Sequence, residues 1–179
     1  VKSIKKLSKH EFFKKKVKIS NKRFQHLEIA VRLLFIEHYL EHEKKYYDTK
    51  KIFLDELVKI YKKSKTLKTN NIEKEVTKIL DSFCSIFADN DPLLRTQSII
   101  PIYFLALRKA IENNTTSKLN RIKLTEFKDK VRSNKVLAED DMSKASYELI
   151  EFDRMSLQGT NDAGSIRERS RILIEYLKI

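Results

Sequence analysis

The chain has 179 residues, 41% of them hydrophobic, and 38 Lys and Arg against 25 Asp and Glu give a net charge of +13. That length is enough for one domain with its own core, whereas two glycines and two prolines leave little turn chemistry for hairpin-rich folds or for loops that bring backbone against phosphate. There is no GxGxxG, no phosphate-binding loop ending in Gly-Lys-Ser/Thr, no GxSxG elbow and no apolar run near the roughly 18 residues of a membrane span, so an expected soluble, cytoplasmic protein has no membrane partner.

With so few breakers, apolar spacing decides the elements, and it is helical nearly throughout. Ser8 and Glu11 have capping-box spacing and predict a short helix opening through the lysine run. From about Asn21 to Tyr46, Phe24, Leu27, Val31, Leu34 and His38 form one stripe, and Ile29, Leu33, Ile36 and Leu40 a second. A helix apolar on two sides belongs at the centre of the fold. Asp48 or Thr49 is placed to cap a third helix carrying Ile52, Leu54, Leu57, Ile60 and Tyr61; residues 62–70 read as a loop; Asn70 with Glu73 opens a fourth through Val76, Ile79, Leu80, Phe83 and Phe87. The single cysteine, Cys84, lies in that apolar run, where a buried structural thiol is expected rather than a nucleophile.

Asp91-Pro92 is a helix-start signal, because proline lacks a donor that the first turn cannot use. A break near Ser98 is followed by a helix with Pro101 at its start and Ile102, Leu105, Ala106 and Ile111 along it; Asn113 to Ser117 is a loop by composition. Phe127 and Val131 mark a sixth helix, Tyr147, Leu149, Ile150 and Phe152 a seventh, and Ile166, Leu173, Tyr176 and Leu177 the last. The expectation is all-α: an irregular bundle of about eight helices forming a single domain over 1–179, and, since the first residue is valine rather than methionine, a piece of a longer multidomain protein, although processing of the start would look the same.

Residues 1–68 hold 20 Lys and Arg against 8 Asp and Glu, a surplus of +12 that leaves the remaining 111 residues at +1. Such asymmetry points to a polyanion or to an acidic neighbouring domain. Lys14, Lys15, Lys16, Lys18, Lys22 and Arg23 are the candidate phosphate contacts, point charges that give affinity with little sequence readout. Phe12 and Phe13 beside them are either core anchors or aromatic contacts to bases, with core anchoring preferred.

His38, Glu41 and His42 spell H-x-x-E-H, which on a helix brings two imidazoles and a base to one face, as in inverted zinc peptidases. Zinc needs a further protein ligand, the next segment offers only surface-type Asp55 and Glu56, and His38 continues a core stripe, so a packed His38 beside an exposed His42 is the preferred reading and no metal is expected. Near the end, Gly159 reads as a left-handed helix stop and Ser165 with Glu168 as the cap of the next helix. The same stretch gathers Asn161, Asp162, Arg167 and Arg169, candidates for docking another domain or an anion.

The run from Asn21 to Leu34, the helix from Thr49 to Tyr61, and the ending Gly159 to Asp162 with Ser165, Arg169, Ile172, Leu173, Tyr176 and Leu177 resemble the helical portion of the GmrSD-type family, prokaryotic defence proteins with a ParB/sulfiredoxin-like domain. The resemblance implies an upstream nucleotide-using domain with an Asp-Gly-Gln-Gln-Arg type loop and often a downstream His-Asn-His-type nuclease, together restricting modified phage DNA. Neither motif occurs in this chain. The resemblance therefore implies a non-catalytic helical part without a cofactor of its own, whose basic front faces DNA. The rival from composition is a pure interaction module meeting an acidic partner, and the enzymatic rival is a zinc hydrolase using His38, Glu41 and His42.

Overall fold

A computed structural model describes residues 2–63 and 67–179 of the chain. Among them the chain is all-α, with eight α-helices, one π-helical turn and four short 3-10 turns; the only β-type contact is an isolated bridge between Val17 and Asp91. Two compact units divide the chain, residues 1–101 and residues 102–179.

The first unit contains α1 (Lys2–Leu7), a π-helical turn (Phe12–Lys16), α2 (Gln25–Glu43), α3 (Lys51–Lys63) and α4 (Leu67–Ile86). α2 is its central helix, packed against α1, α3 and α4 and buried on every side from Ile29 to Ile36. The double stripe is the cause for the apolar positions, and Arg32, buried among them, pairs with Glu28 at 2.9 Å. Two ends depart from the expectation. Phe24 is outside the helix, left-handed and 75% exposed rather than part of the core, and Leu27 is only half-buried. At the other end the chain leaves the helix through a left-handed Lys44, whose N–H donates to the Leu40 carbonyl.

The lysine run also differs from its expectation. Ser8 is no N-cap: its hydroxyl donates back to the Lys5 carbonyl at 3.0 Å, at the end of α1, and the run itself winds into the π-helical turn. Phe12 and Phe13 are fully buried there, with the Phe12 ring 5.2 Å from that of Phe83 on α4. Core anchoring is the outcome for both. α3 turns Leu54, Leu57 and Tyr61 inward, whereas Ile52 and Ile60 are exposed. The expected loop over 62–70 is shorter: Lys62 is still in α3 and α4 already begins at Leu67, the remaining positions 64–66 lying outside the described residues. Val76, Ile79, Leu80, Phe83 and Phe87 are buried as their spacing requires, while Cys84 is half-buried and burial pushes its thiol pKa up.

Asp91-Pro92 opens a 3-10 turn (Pro92–Leu94) rather than a full helix. The Asp91 carboxylate is completely buried and accepts the N–H of Leu93 at 3.0 Å and of Ala88 at 2.9 Å. α5 (Ile100–Glu112) follows with Pro101 in its first turn, where the missing donor costs nothing.

In the second unit α6 (Arg121–Asp140), α7 (Tyr147–Leu157) and α8 (Ala163–Leu177) pack pairwise. Asn120 caps α6, accepting the Lys123 N–H at 3.0 Å. Phe127 is the hub, its ring 4.8 Å from Phe152 on α7 and 5.0 Å from Tyr176 on α8. The buried amide of Asn134 pairs twice with the backbone of Ser146, accepting its N–H at 2.7 Å and donating to its carbonyl at 3.0 Å. That double bond fixes where α7 starts along α6. Tyr147, expected among the apolar positions of α7, is 74% exposed.

Candidate nucleic-acid interface

The basic front is laid along α4 by two ion pairs and a histidine hydrogen bond in register. Lys6 reaches Glu73 at 3.2 Å, His10 reaches Asp81 at 3.0 Å, and Lys16 reaches Asp89, just past the helix, at 2.7 Å. The Phe12 N–H donates to His10 Nδ1 at 3.2 Å, so the imidazole carries its proton on Nε2 and donates it to Asp81. Backbone completes the attachment: the N–H groups of Asn90 and Asp91 donate to the carbonyls of Lys15 and Lys16, and that of Lys18 to Leu94.

These contacts sort the six candidate phosphate contacts into two groups. Lys15, four residues after Glu11, pairs with it at 2.7 Å, and Lys14, three residues after it, lies 3.7 Å from the same carboxylate. The Lys15 ammonium holds the Glu11 carboxyl below its usual pKa, and Glu11 raises that of Lys15 in return. Lys16 is mostly folded in against Asp89, whose carboxyl it likewise holds low. Lys18, Lys22 and Arg23 form the second group: all are exposed and none has an acidic partner among the described residues. They occupy the segment that joins the π-helical turn to α2.

That segment is built, not loose. The His26 N–H donates to Asn21 Oδ1 at 3.1 Å, His26 Nε2 contacts the Ile19 carbonyl at 3.0 Å, and the His26 ring lies 5.6 Å from buried Phe13. Arg23 and Phe24 follow in the left-handed region with φ of 58° and 61°.

Compared with known protein families, curated proteins and solved structures, the chain finds no match.

His38, Glu41 and His42 share a face of α2 as expected, but no group of three or more His, Cys, Asp or Glu among the described residues is placed to hold a metal ion. The rings of His38 and His42 meet edge to face at 4.7 Å, and His38 Nδ1 is buried without a hydrogen-bond partner. Burial, reinforced by His42, pushes the His38 pKa down, and Glu43 opposes it weakly. The Tyr61 hydroxyl, on α3 with its ring 5.9 Å from His38, is also buried without a partner, and burial raises its pKa to about 12. The packed reading of His38 describes this geometry; the zinc hydrolase reading finds no third ligand in it.

In the second unit Asn161, Asp162, Arg167 and Arg169 do not share one surface. α8 begins at Ala163 with Asp162 at its N-cap, so Ser165 is inside the helix, where its hydroxyl donates to the Met155 carbonyl at 3.2 Å, and Glu168 pairs with Arg171 rather than capping. Gly159 does take the left-handed conformation, φ +62°, and a Cβ there would come within 2.7 Å of the Asp162 carboxylate. Arg167 is exposed. Arg169 is fully buried over the Phe152 ring at 5.6 Å, and burial pushes its pKa down to about 10. Beside them, Arg154, Met155, Gln158, Gly159, Asp162 and Ser165 line a cavity of about 340 Å³.

The sequence reading missed the acidic row on α4 and the exposure of Phe24. Glu73, Asp81 and Asp89 recur every eight residues opposite the basic front, a spacing visible in the sequence but meaningful only once α1 and the π-helical turn are known to run beside α4.

Proposed function

We propose that this chain is the non-catalytic helical part of a GmrSD-like, nucleotide-dependent restriction or defence protein, and that its basic front supplies a DNA-facing surface. The observation that carries the DNA contact is the group Lys18, Lys22 and Arg23, three exposed cations with no acidic partner among the described residues, held on a segment pinned by Asn21 and His26. A phosphate can displace water from such groups without first breaking an internal ion pair. Lys14 and Lys15 contribute less, because Glu11 competes for both. The resemblance named above supplies the parent protein: an upstream nucleotide-using domain and, in many members, a downstream nuclease would be this part's partners.

The test is the salt dependence of duplex binding by the purified chain. Each neutralised phosphate contributes a slope of about −0.9 in log K against log salt. Replacing Lys18, Lys22 and Arg23 together by Gln is expected to weaken binding to all duplexes equally and to flatten the slope by roughly 3 units. The corresponding Lys14, Lys15 and Lys16 variant is expected to change it less. If the first variant binds as well as the parent with the same slope, the front is not a DNA surface, and the interaction module with an acidic partner replaces this reading.

A further inference from the structure

The segment between the π-helical turn and α2 presents a conformation that a bulky residue rarely adopts. Phe24 has φ 61°, directly after Arg23 at φ 58°, and neither is glycine. Left-handed backbone is unfavourable for L-residues and is an outlier for a bulky side chain. The ring gains nothing from this strain within the described residues: it is 75% exposed, the most exposed phenylalanine or tyrosine of the chain. An apolar ring of this size is normally buried, and its exposure next to retained strain marks a contact made with something else.

The surroundings say what that contact is. Lys22 and Arg23 immediately precede the ring, Lys18 lies six residues before it, and none of the three cations has an acidic partner among the described residues. A protein surface receiving Phe24 would need an apolar socket inside an acidic rim. Nucleic acid has both features in one repeating unit, a π-face and a phosphate at every nucleotide. In a continuous duplex the base faces are covered by their neighbours, so a projecting ring reaches one only by unstacking a base step at a cost in free energy, whereas an unpaired base offers its face without that cost.

We propose that Phe24 is a stacking platform for an unpaired base and that Lys18, Lys22 and Arg23 hold the flanking phosphates, so this site takes single-stranded nucleic acid in preference to duplex. The inference deepens the DNA-facing reading above and rests on it. The hydrogen bonds of Asn21 and His26 supply the pre-organisation: they fix the backbone on either side of Lys22 and Arg23, so the ring is already projecting before a strand arrives.

The experiment measures binding of the full chain to a fluorescein-labelled oligothymidylate of about 20 nucleotides and to a duplex of equal length, by anisotropy at about 100 mM salt. Phe24→Ala is expected to weaken oligothymidylate binding about 5- to 150-fold, the range for one lost base stack, and to leave duplex binding unchanged. Phe24→Tyr is expected to bind as the parent does, and Phe24→Leu, which keeps an apolar side chain but no ring face, to behave as the alanine variant. Because the side chain is exposed, these variants are compatible with the fold, which far-UV circular dichroism verifies. Binding of both probes by the parent with no loss in Phe24→Ala overturns the stacking platform while leaving the basic surface standing. Full retention by Phe24→Leu also overturns it, since a general apolar contact would then suffice. A parent that binds neither probe overturns the DNA-facing reading and this inference together.

Discussion

Asp91 is the residue through which the fold of the first unit and the placement of the basic front are most directly coupled. Its carboxylate is completely buried and accepts two backbone donors, Leu93 N–H at the start of a 3-10 turn and Ala88 N–H three residues earlier. Its own N–H donates to the Lys16 carbonyl at 2.8 Å, and Asn90 beside it donates to Lys15 at 2.7 Å. Asp91→Ala removes a cap, worth about 0.5–2 kcal/mol, and a second charge-assisted bond, leaving the buried Leu93 donor unmatched at a cost of about 1–3 kcal/mol. These overlap because Leu93 N–H is itself the capped donor, so the expected loss is roughly 2–4 kcal/mol. Urea denaturation followed by circular dichroism measures it as a lower midpoint. Asp91→Asn keeps one acceptor but turns an NH2 group toward a donor, and is expected to fall between parent and alanine. A loss below about 0.5 kcal/mol for Asp91→Ala would show that these two bonds do not hold the turn in place, because a buried carboxylate with two backbone donors is not otherwise that dispensable.

Leu34, fully buried on α2, gives a second expectation: Leu34→Ala loses roughly 2–5 kcal/mol in the same titration, and a loss under about 0.5 kcal/mol would mean that α2 is peripheral. His38 gives a third. Burial lowers its pKa below the ordinary 6.5, so the unfolded chain binds this proton more readily than the folded one, and its effect is absent above pH 6.5 and destabilising as pH falls below it. His38→Gln is therefore expected to flatten the loss of stability between pH 6.5 and mildly acid pH, and an unchanged profile would remove His38 as its source.

The helices were legible wherever apolar spacing was decided by a single environment. α2 has two apolar stripes and is buried on both; Asp91-Pro92 and Pro101 signal helical starts, and turns begin there. Local signals failed where another acceptor competed for the same group. Ser8 and Ser165 have capping-box spacing, yet one hydroxyl bonds the carbonyl of Lys5 and the other that of Met155. Spacing alone cannot see the alternative acceptor, because a serine hydroxyl can bond a preceding backbone carbonyl instead of capping the next helix. Phe24 failed for a related reason: it continues the three- and four-residue pattern of α2, but the backbone turns left-handed one residue before the helix begins, which moves the ring off the stripe.

The charge of the front was legible as a total and not as a distribution of partners. Lysines that look equivalent in the sequence differ in what a phosphate must displace: at Lys15 and Lys16 it must compete with Glu11 and Asp89, whereas Lys18, Lys22 and Arg23 have no acidic partner among the described residues. Exposed ion pairs of this kind are individually worth little, with a median of about 0–1 kcal/mol, so they do not forbid phosphate binding at Lys15 and Lys16. They lower its yield, because each contact made there frees a carboxylate that repels the incoming backbone. Lys6, His10 and Lys16 thus serve first to seat the front along α4, through Glu73, Asp81 and Asp89, and of the six candidate phosphate contacts the three with no acidic partner among the described residues lie where the chain turns toward α2, next to the exposed ring of Phe24.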